Sequence, residues 1–345
     1  MKAALDATYS LGENLSGVGV YSRRILFGLA GSHPESPFLF CYRPHRFLMS
    51  FREALLPNCR RSFLLESLSP RADVFHGLNQ RLPRARLRRA VSTFHDLFVL
   101  TGDYSTPEFR KRFSEQARDA AARSDMIIAV SDFTASQVKD LLDVAAGRIR
   151  VIPHGATCYV PSTREPRLLR ENLILNVGAI QKRKNILRLV HAFERMPPGW
   201  RLALAGSHGF GAGEILQRIE ESPRRRDIEL YGYVSERKLA WLYERASIFA
   251  FPSLDEGFGM PVLDAMASGI PVLTSNRSAT AEVGGDAVLL VDPEDMDSIA
   301  EGLRRLIDDQ DLRDQLVARG GRRASQFRWE KAVQATWSVY QELIQ

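Results

Sequence analysis

Short apolar runs alternate with longer amphipathic segments along the whole chain. In the first half the apolar runs are KAALDA, PFLFCY, SFLL, DVFHGL, AVSTFHD, DMIIAV and RIRVI. Residues 17–30 and 107–124 space apolar positions three and four apart, which predicts amphipathic helices between strands. A further helix is expected after VSD, with Ser131 or Asp132 as its N-cap. This alternation is typical of βαβ units and parallel sheets.

The pattern breaks once, at about residues 153–171, where Pro, Gly and Thr are frequent and periodicity is lost. It restarts with the runs LILNVG, RLALAG, DIELYG, SIFAFPS, PVLTS and AVLLV, and with helices expected from Asn185, Ala212, Ser235 and Pro261. We therefore expect an α/β protein with two Rossmann-like, doubly wound domains, residues 1–160 and 161–328. A C-terminal helix at about 329–345 is expected to pack back on the first domain. Ligands should lie in a cleft between the domains, at the carboxyl ends of the strands.

The composition fits a cytoplasmic protein. The chain has 345 residues, 45% of them hydrophobic and 26% charged, which is ordinary for a soluble protein with two cores. No apolar run approaches the roughly 18 residues of a membrane span, and the first residues lack the apolar core of a secretory signal. Cys41, Cys59 and Cys158 are widely spaced, so they predict neither a disulfide framework nor a zinc site.

Positive charge is concentrated in the first half. Residues 1–160 contain 22 Lys and Arg against 15 Asp and Glu, whereas residues 161–345 contain 25 against 26. The densest cluster consists of Arg81, Arg84, Arg86, Arg88 and Arg89. It is either a solvated loop or a contact for a polyanion. Because no nucleic-acid-binding motif accompanies it, we favour contact with an anionic membrane, at its inner face, over nucleic acid.

The loop SLDEGFGMPVLDAM carries the strongest chemical indication. Gly257 and Gly259 allow a tight turn after a strand, and Pro261 suits the first turn of a helix. Such a turn presents backbone N–H groups at the positive end of a helix and suits a diphosphate. Glu256 and Asp264 could simply favour the helix dipole. Carboxylates beside a phosphate site would also accept hydrogen bonds from hydroxyls, and a sugar nucleotide has hydroxyls on both sides of its diphosphate.

Three further segments carry candidate chemistry. Lys182, Arg183 and Lys184 follow a strand and precede a helix, where they could neutralise a departing diphosphate without a metal; the alternative is a solvated charge run, with Lys182 as its most exposed member. His95 ends a strand, where it either reaches the cleft or is satisfied by backbone. Gly17 belongs to the loop SGVGVY, which could approach a diphosphate but lacks the third glycine of a dinucleotide fingerprint.

The triplet Asp295-Met296-Asp297 matches a metal-binding DxD pattern. It stands at the expected start of a helix, where acidic residues interact favourably with the helix dipole. No metal site is therefore predicted.

The string EGFGMPVLDAM, with PS before it and GIPVLTS after it, resembles the E-x7-E region of retaining, GT-B-fold glycosyltransferases of family 4. GVGVYSRRIL, STFHDL, VSDFTASQV, VIPHG, LNVGAIQKRKN, LYGYVSERKLAWLYERA and AEVGGDAVLLVDPED are similar to further family segments and occur in the family's order. The resemblance implies a GT-B fold, with the nucleotide sugar bound by the C-terminal domain and the acceptor by the N-terminal one.

Residue by residue, the resemblance implies that Asp264 holds the ribose hydroxyls, that Glu256 contacts the donor sugar and that His95 helps position this sugar. The other implied donor contacts are Gly17, Gly178, Arg183, Lys184, Tyr233, Val234, Gly257, Phe258, Gly259, Met260 and Pro261. The expected catalytic set is Glu256, His95, Lys184 and Arg183. Two positions depart from the family: Asp264 replaces the usual Glu, and Ala179 stands where many members have an Arg that meets the phosphates.

The function implied is transfer of a hexosyl unit, with retention, from a nucleotide diphosphate sugar to a saccharide or lipid-linked acceptor. No metal or other cofactor is expected. QKRKN and EVGGDA favour a mannosyltransferase-like branch and GDP-mannose, with a UDP-sugar as the next choice. The alternatives are a non-catalytic scaffold that binds nucleotide sugars and a nicotinamide-dependent oxidoreductase, which would need a GxGxxG fingerprint with a downstream acid.

Overall fold

A computed structural model describes residues 1–160 and 170–345. The chain divides into two units, which we call the N-terminal unit (residues 1–101, 107–155 and 328–345) and the C-terminal unit (residues 102–106 and 156–327). Residues 161–169 of the expected linker lie outside the described residues. Each of the apolar runs named above overlaps a strand.

The N-terminal unit is built on a parallel sheet of seven strands. They are β1 (Ala3–Asp6), β2 (Phe38–Tyr42), β3 (Cys59–Phe63), β4 (Val74–Gly77), β5 (Ala90–Phe94), β6 (Met126–Ala129) and β7 (Ile149–Val151). The strand order is β3-β2-β1-β4-β5-β6-β7, so the chain winds outward from β1 in both directions. The helices of this unit are α1 (Gly17–Ser32), α2 (Pro44–Phe47), α3 (Phe98–Thr101), α4 (Pro107–Arg123), α5 (Asp132–Leu142) and, from the chain end, α13 (Trp329–Ile344).

Strand β3 begins earlier than the run SFLL predicts. It spans Cys59–Phe63 and pairs with β2 in parallel register, from Phe38 with Cys59 to Tyr42 with Phe63. Because β3 is an edge strand, Arg60 can remain exposed to solvent. Because Arg60 and Arg61 are charged, the apolar runs do not show where this strand begins.

Serine caps mark several helix starts, two of them, at Ser131 and Ser235, predicted from the sequence. Ser131 accepts a hydrogen bond from the Thr134 N–H at 2.9 Å, and Ser16 caps α1 through the Gly19 N–H. In the C-terminal unit Ser235 accepts from the Lys238 N–H at 3.3 Å. These side chains satisfy N–H groups that the first helical turn cannot pair internally.

The C-terminal unit contains a second parallel sheet, of six strands. They are β8 (Glu171–Val177), β9 (Arg201–Ala205), β10 (Ile228–Gly232), β11 (Ala246–Phe251), β12 (Val272–Ser275) and β13 (Leu289–Val291), in the order β10-β9-β8-β11-β12-β13. Its helices are α6 (Ile186–Glu194), α7 (Ala212–Glu220), α8 (Glu236–Arg245), α9 (Met260–Ala267), α10 (Ser278–Gly284), α11 (Met296–Asp308) and α12 (Gln310–Ala324).

Both sheets are covered by apolar side chains, as parallel sheets require. In the C-terminal unit the central strands contribute fully buried residues such as Ile174, Leu204 and Phe251. The loops at the carboxyl ends of β8 and β11 are therefore held on a rigid base. Within residues 1–160 and 170–345, no helix combines the length and the apolar character needed to cross a membrane.

Candidate active site

The glycine-containing turn lies between β11 and α9. Helix α9 begins at Met260 with Pro261 in its first turn, which confirms the predicted helix start. Gly259 occupies the N-cap position with a φ of +95°. A Cβ atom at this position would be strained, and it would lie 2.9 Å from the Thr280 Cγ2 atom. The N-cap residue also has no side chain with which to cover the end of the helix.

Glu256 in this turn forms a buried ion cluster with two basic residues. Its Oε1 atom accepts a hydrogen bond from the Lys184 Nζ group. Its Oε2 atom lies 3.0 Å from the Arg183 Nη1 atom. All three residues are buried, with 7–8% of their surface exposed. Three of the predicted site residues, about 70 positions apart in sequence, are thus brought together.

Backbone contacts hold the two loops of this cluster against each other. The Leu254 N–H donates to the Arg183 carbonyl at 2.9 Å, and the Arg183 side chain donates to the Asp255 carbonyl at 2.6 Å. Asn185, which precedes α6, donates to the Pro252 carbonyl at 3.0 Å. The position of Glu256 is therefore fixed by hydrogen bonds on several sides.

The charges of the cluster keep Glu256 ionised. Burial raises the pKa of this carboxyl, but the opposing effects of the Arg183 and Lys184 charges are together greater and hold the pKa below its usual value. With one carboxylate and two cations, the cluster has a formal charge of +1. Such a site can attract an anion with its cations and accept hydrogen bonds from hydroxyls with its carboxylate.

The three consecutive basic residues have different environments. Arg183 and Lys184 are buried, and the Lys184 ammonium also lies 4.6 Å from the centre of the Phe251 ring. Lys182 is exposed, as the sequence predicts. Gly178, just after β8, has its N–H bonded to the Ala205 carbonyl at 2.9 Å. The turn that carries these basic residues is thus held by the backbone hydrogen bond of Gly178 before it and by the contacts of Arg183 and Lys184 with Glu256.

Asp264 has a partner within the protein. It lies on α9, half-buried, and its Oδ1 atom accepts a hydrogen bond from the Thr157 N–H at 2.8 Å. The sequence does not point to Thr157, because its contact is made by a backbone N–H group that any residue except proline would supply. Asp264 therefore also holds residue 157 against the helix.

The remaining donor candidates lie in different parts of the C-terminal unit. Tyr233 and Val234 occupy the turn between β10 and α8, where Tyr233 is exposed and Val234 is half-buried. Phe258 is buried, and its ring packs edge-on against Phe327 with centroids 6.0 Å apart. Gly257 is buried within the turn, beside Glu256.

His95 follows β5 in the N-terminal unit and is buried. Its Nε2 atom lies 2.9 Å from the Leu78 carbonyl, which can only accept a hydrogen bond, so Nε2 carries the proton. Burial lowers the pKa of His95 to about 4, so the ring is neutral near pH 7. The Nδ1 atom is then an acceptor, suited to a sugar hydroxyl. Gly17 is exposed at the first position of α1 in the same unit.

A buried hydrogen-bonded chain supports the ring that packs on His95. Tyr21 lies edge-on to His95, with centroids 4.7 Å apart, and its hydroxyl is 2.9 Å from the Thr93 hydroxyl. The chain continues from Thr93 to His76 at 2.8 Å and from His76 to the Tyr340 hydroxyl on α13 at 2.6 Å. The sequence does not predict this hydrogen-bonded chain, because single residues on β4, β5, α1 and α13 form no common pattern.

Tyr340→Phe is expected to destabilise the N-terminal unit by about 1–3 kcal/mol, because a buried nitrogen of His76 loses its partner. Hydrogen exchange of peptides from β4 and β5, compared with the wild type, measures this change. Tyr42→Phe is the matched control: Tyr42 is also buried, and no hydrogen bond to its hydroxyl occurs among the described residues. Equal losses in the two variants would assign the effect to packing instead of the chain.

The DxD triplet has a structural role. Asp295 caps α11 by accepting a hydrogen bond from the Asp297 N–H at 2.9 Å, and Asp297 pairs with Arg195 at 2.5 Å. In the part of the chain that the structure describes, no group of three or more His, Cys, Asp or Glu side chains is arranged to hold a metal ion.

Two parallel doubly wound sheets, with a glycine turn opening a helix beside a buried Glu–Arg–Lys cluster, are the features expected of a glycosyltransferase of the GT-B fold. The sequence matches the family described as glycosyl transferases group 1 over residues 163–323, and glycosyltransferase family 4 over residues 8–158. The chain belongs to glycosyltransferase family 4, whose two domains these matches cover, and it is a glycosyltransferase. The oxidoreductase alternative is therefore excluded, and the family assignment favours an enzyme over a non-catalytic scaffold.

Curated relatives include mannosyltransferases. The chain is 34% identical to the O-antigen chain mannosyltransferase B of Escherichia coli, over 78% of this chain and 74% of that protein. It is 27% identical to the serotype-specific mannosyltransferase WbdA of Escherichia coli over 74% of this chain, which spans about a third of that protein (34%). Among solved structures, sucrose-phosphate synthase from Thermosynechococcus elongatus matches with a TM-score of 0.78 at 21% identity, over 100% of this chain and 99% of that one.

Proposed function

We propose that the protein transfers a mannosyl unit from GDP-mannose to a saccharide or lipid-linked acceptor, with retention of the anomeric configuration and without a metal ion. The observation that carries the proposal is the buried cluster of Glu256, Arg183 and Lys184 beside the start of α9. The choice of mannose is supported by the mannosyltransferase relatives.

The start of α9 supplies the proposed diphosphate site. In the first turn of α9, Pro261 has no N–H, and the Val262 N–H donates to the Gly259 carbonyl at 3.0 Å. The N–H groups of Gly259 and Met260 are therefore the ones proposed to meet an anion placed at the helix end. Gly259 leaves this end without a side-chain cap, so a phosphate can approach closely. The +1 charge of the ion cluster adds to the attraction.

Glu256 orients the donor sugar in this proposal. Its ionised carboxylate accepts hydrogen bonds from sugar hydroxyls on one side while Arg183 and Lys184 hold it on the other. Asp264 accepts from the ribose hydroxyls, and Tyr233 and Val234 contact the base. His95 accepts a hydrogen bond from the sugar through its Nδ1 atom.

The cations of the cluster stabilise the leaving group. As the bond between the sugar and the diphosphate breaks, negative charge develops on the phosphate oxygens, and Arg183 and Lys184 are placed to bind that charge in a water-poor environment. The leaving diphosphate accepts the proton of the acceptor hydroxyl on the same face of the sugar. This route retains configuration without a protein nucleophile.

The acceptor proposal follows from the relatives. One relative is named for the O-antigen chain and another is named as serotype-specific, and we assign this chain to polysaccharide biosynthesis. The excess of cations in residues 1–160 fits work at the inner face of the cytoplasmic membrane, on a lipid-linked saccharide.

GDP and GDP-mannose are expected to raise the melting temperature of the C-terminal unit. A ligand at 100 times its Kd adds about 2.7 kcal/mol of stability, which corresponds to a shift of roughly 5–10 °C for a unit of this size. A thermal-shift screen that also contains UDP, UDP-glucose and GMP measures this effect, with EDTA in one arm and added Mg²⁺ or Mn²⁺ in the other.

GMP is the control for the diphosphate site and should give a much smaller shift. A larger response to UDP than to GDP would contradict the choice of donor, and a response that requires added metal would contradict metal independence. Proton NMR of the product determines the anomeric configuration, and an inverted product would overturn the proposed route.

A further inference from the structure

Five large apolar side chains are exposed within a short part of the N-terminal unit. Leu48 is 82% exposed, Leu68 64%, Phe51 60%, Phe63 50% and Leu65 36%. Isolated exposed apolar residues are normal on protein surfaces, but several together usually mark a contact surface. We call these five residues the apolar patch.

Aromatic contacts join the two chain segments that carry the patch. The Phe47 ring stacks on Phe63 at 3.7 Å and meets Phe51 edge-on at 5.6 Å. Phe63 is the last residue of the edge strand β3, and Leu65 and Leu68 follow it directly. The patch therefore lies at one edge of the sheet, at the carboxyl end of its edge strand.

The positive charge of the N-terminal half is concentrated in the sequence segment that carries this patch. Residues 43–89 contain 11 Arg and 3 acidic residues, a balance of +8; the rest of residues 1–160 contains 11 Lys and Arg against 12 acids, a balance of −1. The whole excess of the N-terminal half is thus confined to the segment that carries the patch.

Ion pairs already occupy the three acidic residues of this segment. Glu53 lies 3.2 Å from Arg23, and Asp73 lies 2.7 Å from Arg88. Glu66, between two leucines of the patch, pairs with Arg81 at 3.0 Å and accepts a hydrogen bond from the Arg84 N–H at 3.1 Å. Glu66 therefore fixes the arginine-rich loop beside the patch. The exposed arginines of the segment include Arg46, Arg52, Arg60, Arg84 and Arg86.

We propose that the apolar patch and its surrounding arginines dock the protein on an anionic lipid bilayer. The leucines and phenylalanines enter the interface between headgroups and acyl chains, while the arginines bind lipid phosphates. A saccharide surface is disfavoured, because the most exposed members are aliphatic and offer no hydrogen bonds. The proposal rests on the proposed function in one respect: a lipid-linked acceptor is what would bring the protein to a membrane.

Sedimentation of the full chain with lipid vesicles tests the proposal. The wild type is expected to bind vesicles of phosphatidylcholine and phosphatidylglycerol at 7:3, to bind pure phosphatidylcholine far less, and to be released by high salt. The double variant Leu48→Ser/Phe51→Ser should bind at least tenfold more weakly, because two apolar insertions are lost. In Arg46→Gln/Arg52→Gln, each lost charge should weaken binding about fivefold.

Ile344→Ser is the matched control, since Ile344 is 46% exposed in the same unit but lies outside the patch. It should bind vesicles like the wild type. All variants should keep the circular dichroism spectrum and the ligand-free melting profile of the wild type, which shows that both units are folded.

Equal vesicle binding by the wild type and the patch variants would overturn the proposal, as would equal binding to neutral and anionic vesicles. Binding of a soluble mannan instead of vesicles would make the patch an acceptor platform and would also overturn it. A wild type that binds vesicles but gives no shift with any nucleotide would leave the docking surface standing and refute the proposed function.

Discussion

Glu256→Gln is expected to reduce turnover at least ~10²-fold, the scale of one lost transition-state contact. Glutamine keeps the shape of the side chain but removes the charge that orients the sugar and holds Arg183 and Lys184 in place. The two cations then remain buried without their counterion. Because breaking a buried ion pair costs about 3–5 kcal/mol, the variant should also lose stability. Initial rates at saturating donor and a urea titration measure the two effects separately.

Two further variants separate catalysis from stability. Glu194→Gln removes a carboxylate that pairs with Arg218 elsewhere in the same unit and is about as enclosed, with 13% of its side chain exposed; it should lose stability and keep its turnover. Lys184→Met/Glu256→Gln removes one charge of each sign and should regain part of the lost stability without regaining activity. Turnover of the single variant within twofold of the wild type would remove Glu256 from the mechanism.

Local patterns in the sequence were sufficient to predict the fold. Every strand was found from its apolar run, and the starts of α5, α8 and α9 were found from Ser131, Ser235 and Pro261. These features depend on residues within one or two turns of each other. The exception, the beginning of β3, depends on its place at the sheet edge, and a strand's position in the sheet order is a tertiary property.

The candidate site could be predicted only in part. The glycine turn, Glu256 and the basic segment were each found from the sequence, but the sequence assigned Glu256 to the sugar and Arg183 and Lys184 to the phosphates as separate groups. Their mutual ion pairs arise where the loops after β8 and β11 meet, and no local spacing encodes this contact. The consequence is chemical, since the orientation of the sugar and the neutralisation of the phosphates now depend on the same three side chains.

The grouping of His76, His95 and His154 in the N-terminal unit could not be predicted, for the same reason. His154 belongs to the segment VIPHG, which matched the family, but only the fold brings its ring to 5.5 Å from His95 and 4.9 Å from Tyr21. Three buried histidines in one unit predict a response to acid that no single motif suggests.

Acidification is expected to destabilise the N-terminal unit between about pH 6.5 and pH 4. Burial lowers the pKa of His76 to about 3 and that of His95 to about 4, and it lowers the pKa of His154 well below the usual value. The native state therefore stays neutral at these positions, while the unfolded chain takes up protons near pH 6.5. Stability is complete above pH 6.5 and falls as the pH decreases, by up to about 1.4 kcal/mol per pH unit for each histidine, or about 4 for all three.

Hydrogen exchange followed by mass spectrometry, corrected for intrinsic rates, measures this loss between pH 7 and pH 5. Peptides from β4 to β6 should lose protection, whereas peptides from β8 and β9 serve as an internal control, because His191 and His208 of that unit are not buried. His76→Gln should remove about a third of the pH dependence, and the exposed His45→Gln should leave it unchanged. Parallel loss of protection in both units would show that other groups control the acid response. Among the described residues, the buried histidines His76, His95 and His154 all belong to the N-terminal unit.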